Sequence, residues 1–404
     1  MVKAGRIHRL VREATVFGTK ADNVRLDWAA VVQRQHEIVK ALQPSPESLT
    51  KTGAKVVLGE GRFLNPYTLE VNGQRVSGDR IVVAAGSEPM IPPIEGRELA
   101  ITSDDLLFLP AFPERLVLVG AGVIGLEMAS AFADLGATVT VIGREREILP
   151  ALDADVAAYL RRLLEAKGVT FYLEAALSRL TGRRGELTVE VTKNSNRVEL
   201  RASQVCLAVG RRFNPRSLGA DEIGLELARA GLKVSPYLQT SLPHIYAAGD
   251  AAGGQMLTPV AAYEGKLAAR NALSGNAEAA DYTVVPQTIF TTPEVGRVGL
   301  THKEALRRGV KCHVSTHDMK GASNGRATGE DAGFLKLVFE GETERLLGVQ
   351  MVSYAAAELI QLGALAIRTG ATAAQMSNLL SIHPSHGERF LKVAGHDHHE
   401  VCEV

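Results

Sequence analysis

"RLVLVGAGVIGLEMASAFADLGATVTVIGRERE", residues 115–147, decides the fold. It reads as an apolar strand, a glycine turn, an amphipathic helix and a second apolar strand, which is a βαβ unit. Gly120, Gly122 and Gly125 stand at G-x-G-x-x-G spacing, directly after the strand and at the opening of the helix. In that context each glycine has a task. The first permits a tight turn, the second lets a pyrophosphate approach the backbone, and the third lets helix pack on strand. The helix N-terminus, with its unpaired N–H groups and positive dipole end, faces the anion. Gly120, Gly122, Val123, Ile124 and Gly125 are therefore candidate dinucleotide-binding residues.

The end of the second strand distinguishes the two nicotinamide coenzymes. An acidic side chain there receives the ribose 2′-hydroxyl of NADH, whereas arginine pairs with the 2′-phosphate of NADPH. Here the strand runs into Gly143 and Arg144, with Arg146 beyond. This favours NADPH, with Arg144 and Arg146 as its partners. Glu145 and Glu147 keep NADH open as the alternative.

Working outward, the first forty residues carry helical spacing in "AGRIHRLVREA" and "LDWAAVVQRQHEIVKAL". Strand-like runs follow up to "RIVVAAG", then Pro-rich segments that place a boundary near Pro110. The βαβ unit and its continuation extend to about residue 233. "PHIYAAGD" then gives a strand ending in Gly-Asp ahead of a helical segment, and a different α+β pattern begins at Val284. The expected segments are 1–110, 111–233, 234–283 and 284–404.

Composition limits the function classes. The 404 residues are 46% hydrophobic and 22% charged, too long for one ordinary core. Lys plus Arg equals Asp plus Glu at 45 each, so no whole-chain field draws nucleic acid or an anionic membrane. No apolar run approaches a membrane span, and the N-terminus reads as no signal peptide, so a cytoplasmic location is the expectation. Cys206, Cys312 and Cys402 lie far apart in sequence and make neither a disulfide framework nor a zinc-like spacing. Cys206, in the apolar "QVCLAVG", reads as a buried, inert thiol. No metal site is expected.

With "VLVGAGVIGLEMA", "CLAVGRRFNP", "HIYAAGDAAGGQMLTPVAAYEG", "FTTPEVGRVGLTHKEA" and "HPSHGERF" in that order, the chain resembles the class I flavoprotein disulfide reductases. That family includes glutathione reductase, dihydrolipoamide dehydrogenase and mercuric reductase. The resemblance implies an α/β protein with an incomplete FAD-binding domain, an inserted Rossmann-like NAD(P)-binding domain and a C-terminal α+β dimerisation domain. "IVVAAGSEP" is similar to the family's A-T-G segment, which puts Ala85 and Gly86 at the cofactor. Asp250 resembles the carboxylate that receives the FAD ribityl chain, with Gly249 allowing close approach to the pyrophosphate. The helix opening at Leu257, Thr258 and Pro259 would turn its positive end to the flavin ring. Glu127 resembles a glutamate near the nicotinamide, and Gly210 and Arg211 resemble a loop covering the dinucleotide. His383 and Glu388 match the H-P-x-x-x-E pair, in which glutamate orients an imidazole that shuttles protons for a dithiol of the partner subunit. His386 reads as a bystander. A homodimer is implied.

The family's N-terminal strand, first G-x-G-x-x-G and C-x-x-x-x-C are not found in this sequence. "MVKAGRIHRL" looks like the helix that follows the redox cysteines, so the resemblance implies a truncated chain of a complete FAD-dependent NAD(P)H:disulfide oxidoreductase. The alternatives are a flavoprotein without redox disulfide, a non-catalytic dimeric NADPH-binding protein, and a mercuric reductase-like metal reductase. The tail "GHDHHEVCEV" reads as a mobile hydrophilic segment, with metal capture by His396, His398, His399 and Cys402 as its alternative.

Overall fold

The computed structural model describes residues 1–194, 196–395 and 400–402. The chain forms two compact units, the first made of Met1–Val32, Ile91–Val209 and the residues from Thr283 onward. At the centre of one of its sheets lies the strand Arg115–Val119, in a five-stranded parallel sheet of order 101–102, 204–207, 115–119, 138–142, 170–172. Leu116 to Val119 are all buried, because helix and hairpin layers cover both faces and no polar alternation survives. The helix Val123–Asp134 buries Leu126, Ala129 and Phe132 against this sheet. Phe132 also meets Trp28 and Phe112, and the Trp28 Nε1–H donates to the Leu109 carbonyl at 2.8 Å. The expected N-terminal helix forms over Val2–Arg12 and packs on Val123–Asp134 at Gly5, where a Cβ would lie 2.8 Å from the Ala131 carbonyl.

A six-stranded antiparallel sheet completes this unit, in the order 287–289, 294–299, 346–353, 334–340, 312–318, 400–402. The helix Ala356–Thr369 packs on it. A buried polar cluster ties the two sheet layers of this unit together. Lys336 Nζ reaches Asp155 at 2.8 Å and Asp153 at 3.3 Å, while Asp153 also accepts from the N–H groups of His302 and Lys303 and from Gln350.

The second unit comprises Gln33–Met90 and Gly210–Tyr282. An antiparallel meander (Gly61–Asn65, Thr68–Val71, Gln74–Ser77) accompanies a parallel pair, Ile81–Val83 with Ile245–Ala247, and the helix Thr258–Ser274. Phe63, Val83, Phe213, Leu232 and Ile245 form its core.

These units divide the chain differently from the sequence boundaries at 110, 233 and 283. Arg211–Arg212 pairs with Glu88–Pro89, drawing 210–233 into the second unit, and the first helix joins the first unit through Gly5. Of the tail, only Gly395 and the backbone of 400–402 lie within the described residues. Glu400–Cys402 pairs as an edge strand with Cys312–Asp318, backbone hydrogen bonding having replaced solvent. His396, His398 and His399 lie outside the described residues. Among the described residues no helix is long and apolar enough to cross a membrane, and no cluster suited to a metal ion occurs.

Candidate active site

At the dinucleotide turn the three glycines do different work. Gly120 has φ of 124°, and a Cβ there would lie 2.2 Å from the Ala208 carbonyl oxygen. A Cβ on Gly125 would lie 1.9 Å from the carbonyl oxygen of Gly120. Gly125 is required where the helix packs on the turn, and Gly120 where the turn passes the chain that follows the strand 204–207. Gly122 is not: its φ is −88°, ordinary for any residue, and a Cβ would meet nothing within 4 Å. The fold leaves open space at the glycine expected to admit a ligand. Gly122 caps the helix without a side-chain hydrogen bond, so the N–H groups of Val123, Ile124 and Gly125 open the first turn with no side-chain oxygen supplied to them. The residues present fit a dinucleotide pyrophosphate.

At the strand end, a Cβ on Gly143 would stand 2.8 Å from the Ala121 Cβ and 3.0 Å from Leu173 Cδ2. A carboxylate cannot be carried there without moving the turn. Arg144, Glu145 and Arg146 are exposed, whereas Glu147 is engaged by Arg161 Nε at 2.9 Å and by the Ile148 N–H. Of the two carboxylates that keep NADH open, one is thus committed elsewhere. Glu127 is half-buried, and its Oε1 accepts from the Phe290 N–H at 2.9 Å. Burial pushes its carboxyl above the usual range, opposed by that hydrogen bond. Ser130 makes a parallel tie, accepting from the Thr292 N–H at 2.9 Å.

The second unit gathers Ala85, Gly86, Gly249, Asp250 and the 257–259 helix start around the paired strands. Sequence reasoning did not single out Ser87, which joins two expected residues. Its hydroxyl donates to Asp250 Oδ2 at 2.6 Å and accepts from Arg211 Nε at 3.0 Å, while Arg211 also reaches the Ser87 carbonyl. Arg211 is therefore placed in line with Asp250. Glu264 was missed as well. It is 2% exposed and accepts from the Gly249 N–H at 2.7 Å and the Tyr282 hydroxyl at 2.6 Å. Burial, then Glu264, push the Tyr282 phenol far up, so it stays a donor. The signal was a glutamate in register with Val260, Leu267 and Asn271 on the buried helix face. Gly86 and Gly249 adopt φ of 71° and 65°, and Leu257 caps the helix Thr258–Ser274 with no side-chain bond. These residues suit the polar chain and ring side of a flavin. The only G-x-G-x-x-G in this sequence is the one at Gly120, in the first unit.

His383 and Glu388 come together. Ser385 caps the helix His386–Val393 by accepting from the Glu388 N–H at 3.0 Å, which turns the glutamate back toward His383. Glu388 is 5% exposed, and its Oε2 lies 2.8 Å from His383 Nδ1. The imidazole itself is 63% exposed. A carboxylate on Nδ1 fixes the tautomer with the proton there and leaves Nε2 outward as a base. Lys392 also pairs with Glu388, and first Lys392, then His383, hold its carboxyl below the usual range. His386 stands 3.8 Å from Glu330 and outside the pair. Leu379, Leu380 and Ile382 just before His383 are exposed, an apolar run suited to a covering surface. Cys206 is fully buried, which pushes its thiol up to about 12 and leaves it inert.

Comparison with known proteins agrees with this geometry. Residues 7–265 match the pyridine nucleotide-disulphide oxidoreductase model, and residues 285–394 match the dimerisation domain of the same proteins. The chain is 31% identical to glutathione reductase of Pisum sativum, covering 97% of this chain and 71% of that one. It is 32% identical to dihydrolipoyl dehydrogenase of Geobacillus stearothermophilus, covering 98% and 85%. It is 31% identical to mercuric reductase of Lysinibacillus sphaericus, covering 94% and 71%. Its fold is that of the flavoprotein disulfide reductase RclA of Escherichia coli, solved as a Cu(II) complex of a cysteine-to-serine mutant, with a TM-score of 0.83 at 24% identity over 96% of this chain and 88% of that one. The chain belongs to the class I pyridine nucleotide-disulfide oxidoreductases, a family of NAD(P)H- and FAD-dependent enzymes with a C-terminal dimerisation domain.

Proposed function

We propose that this chain works as an NADPH-dependent flavoprotein that reduces a disulfide, as a homodimer. The observation that carries the reading is the exposed His383 imidazole held on its Nδ1 side by buried Glu388. Such a group takes and returns a proton at Nε2, which thiol–disulfide chemistry needs and metal-ion reduction does not. The turn Gly120–Gly125 holds the coenzyme diphosphate, with Arg144 and Arg146 on the 2′-phosphate. Gly249, Asp250 and the helix start at Leu257, Thr258 and Pro259 receive the flavin, which when bound supplies the two-electron carrier between coenzyme and disulfide. Arg211 and Ser87 hold Asp250 in place.

Two measurements test the proposal. Titration of the purified protein should give tighter binding of NADPH than NADH, and Arg144→Ala with Arg146→Ala should erase the difference. Tighter binding of NADH overturns the coenzyme assignment. The purified protein should show the flavin absorbance band. A colourless protein that still binds NADPH leaves a dinucleotide-binding protein in place of the reductase.

A further inference from the structure

We infer that Arg161 is a positioning residue for coenzyme choice: it binds the Glu147 carboxylate and so keeps a negative charge away from the 2′-phosphate that Arg144 and Arg146 receive. The inference rests on the NADPH reading given above and adds to it a residue from outside the strand end. The contact itself is direct. Arg161 Nε donates to Glu147 Oε1 at 2.9 Å, and the same oxygen accepts from the Ile148 N–H at 2.9 Å. Arg161 Nη1 donates to Glu165 Oε1 at 2.8 Å, one turn along the helix Ala154–Ala166. The guanidinium is thus held at two corners of its planar fork, which a lysine at this place would not reproduce.

Charge makes the pairing matter. The segment 144–147 reads Arg, Glu, Arg, Glu, so by itself it is neutral. With Glu147 occupied by Arg161, the two arginines outnumber the one carboxylate left, that of Glu145. Arg144, Glu145 and Arg146 are exposed, whereas the Glu147 side chain is 23% exposed. Without its partner, the Glu147 carboxylate would stand next in sequence to Arg146 and act against NADPH in two ways. It competes for Arg146, and it repels a 2′-phosphate while accepting a hydrogen bond from the 2′-hydroxyl of NADH.

The backbone of the segment does not depend on the ion pair. Gly143 is fixed on both sides, its N–H donating to the Tyr172 carbonyl and its carbonyl accepting from the Ala175 N–H, both at 2.9 Å. The Glu145 carbonyl accepts from the Glu174 N–H at 3.0 Å, and the Leu149 N–H donates to the Ala121 carbonyl, inside the glycine turn, at 3.1 Å. Ile148, Leu149 and Leu152 are buried in one cluster with Val156, Leu160 and Leu164 of the helix that carries Arg161. An ion pair this open to solvent adds little to stability. Removing Arg161 therefore changes the charge beside the coenzyme and leaves the segment in place.

The test is fluorescence titration of NADPH and NADH against the purified full chain, with thermal melting alongside. In Arg161→Met the ratio of NADPH to NADH affinity should fall roughly fivefold or more. The fall should come from weaker NADPH binding, with NADH bound as well as before or more tightly and Tm close to the parent's. Arg161→Met combined with Glu147→Gln should restore the parent's ratio, because no carboxylate is released. A purely structural role for Arg161 cannot give that rescue, since the double variant lacks the ion pair as well. If Arg161→Met does not fold, Arg161→Gln takes its place. The inference is overturned if the single variant keeps the ratio, if it weakens both coenzymes alike, or if the double variant does no better than the single one. A parent that binds NADH more tightly removes the NADPH reading itself, and the inference with it.

Discussion

Replacing Gly122 and Gly125 separately by alanine should separate binding from folding at one turn. For Gly125→Ala, the new methyl would lie 1.9 Å from the Gly120 carbonyl oxygen, more than an ångström short of the 3.0 Å that Cβ contacts keep. The obstructing atom belongs to the backbone, so strand and helix must separate. The cost belongs at the upper end of overpacking, about 3 kcal/mol, which lowers Tm by roughly 6–12 °C for a domain of this size. For Gly122→Ala, φ of −88° and ψ of −170° suit alanine, and the methyl meets nothing within 4 Å. Stability should stay within about 1 kcal/mol of the parent. The methyl nevertheless occupies the space a diphosphate needs. Losing even one charge-assisted hydrogen bond, worth about 1.5–3 kcal/mol, weakens binding by roughly tenfold or more. NADPH fluorescence titration beside thermal melting reads both quantities. A Gly122→Ala variant that binds NADPH like the parent, or melts as low as Gly125→Ala, refutes the reasoning.

Glu127→Gln should raise Tm at neutral pH and change it little in acid. Burial lifts the folded-state carboxyl above its ordinary value of 4.5, so the folded protein holds this proton more tightly than the unfolded one. Stability is lost as pH rises from that value through the raised one; glutamine still accepts from the Phe290 N–H, and a variant that loses stability equally at all pH values would sink this account. Lys336→Met should cost about 3–5 kcal/mol in urea unfolding, because it leaves a buried carboxylate unpaired. At present burial pushes the Asp153 carboxyl up, while Lys336, the Lys303 N–H, Gln350 and the His302 N–H outweigh it and hold it below the usual range. Its contribution is therefore complete above the unfolded value of 3.8 and lost as pH falls through the depressed one. The difference between variant and parent should narrow in acid, and a constant difference down to low pH argues against the pairing.

What could be read from residues alone was whatever rests on short-range constraint. The turn at Gly120–Gly125 was legible because strand, glycine turn and helix follow one another within one βαβ unit, and His383 with Glu388 because a capped helix brings them together across five positions. Contacts set by tertiary packing were not legible. Ser87 bridges Arg211 and Asp250 from places distant in the sequence, and its neighbours there say nothing of either. Glu264 gained a place in the site only through its tertiary partners, the Gly249 N–H and the Tyr282 hydroxyl.

Gly122 is the converse case. Its neighbours in space place no demand on it, and the proposed coenzyme diphosphate accounts for a residue type that the fold does not require. A glycine with free space and ordinary φ, between two glycines that packing requires, therefore carries more information about the ligand than either of them.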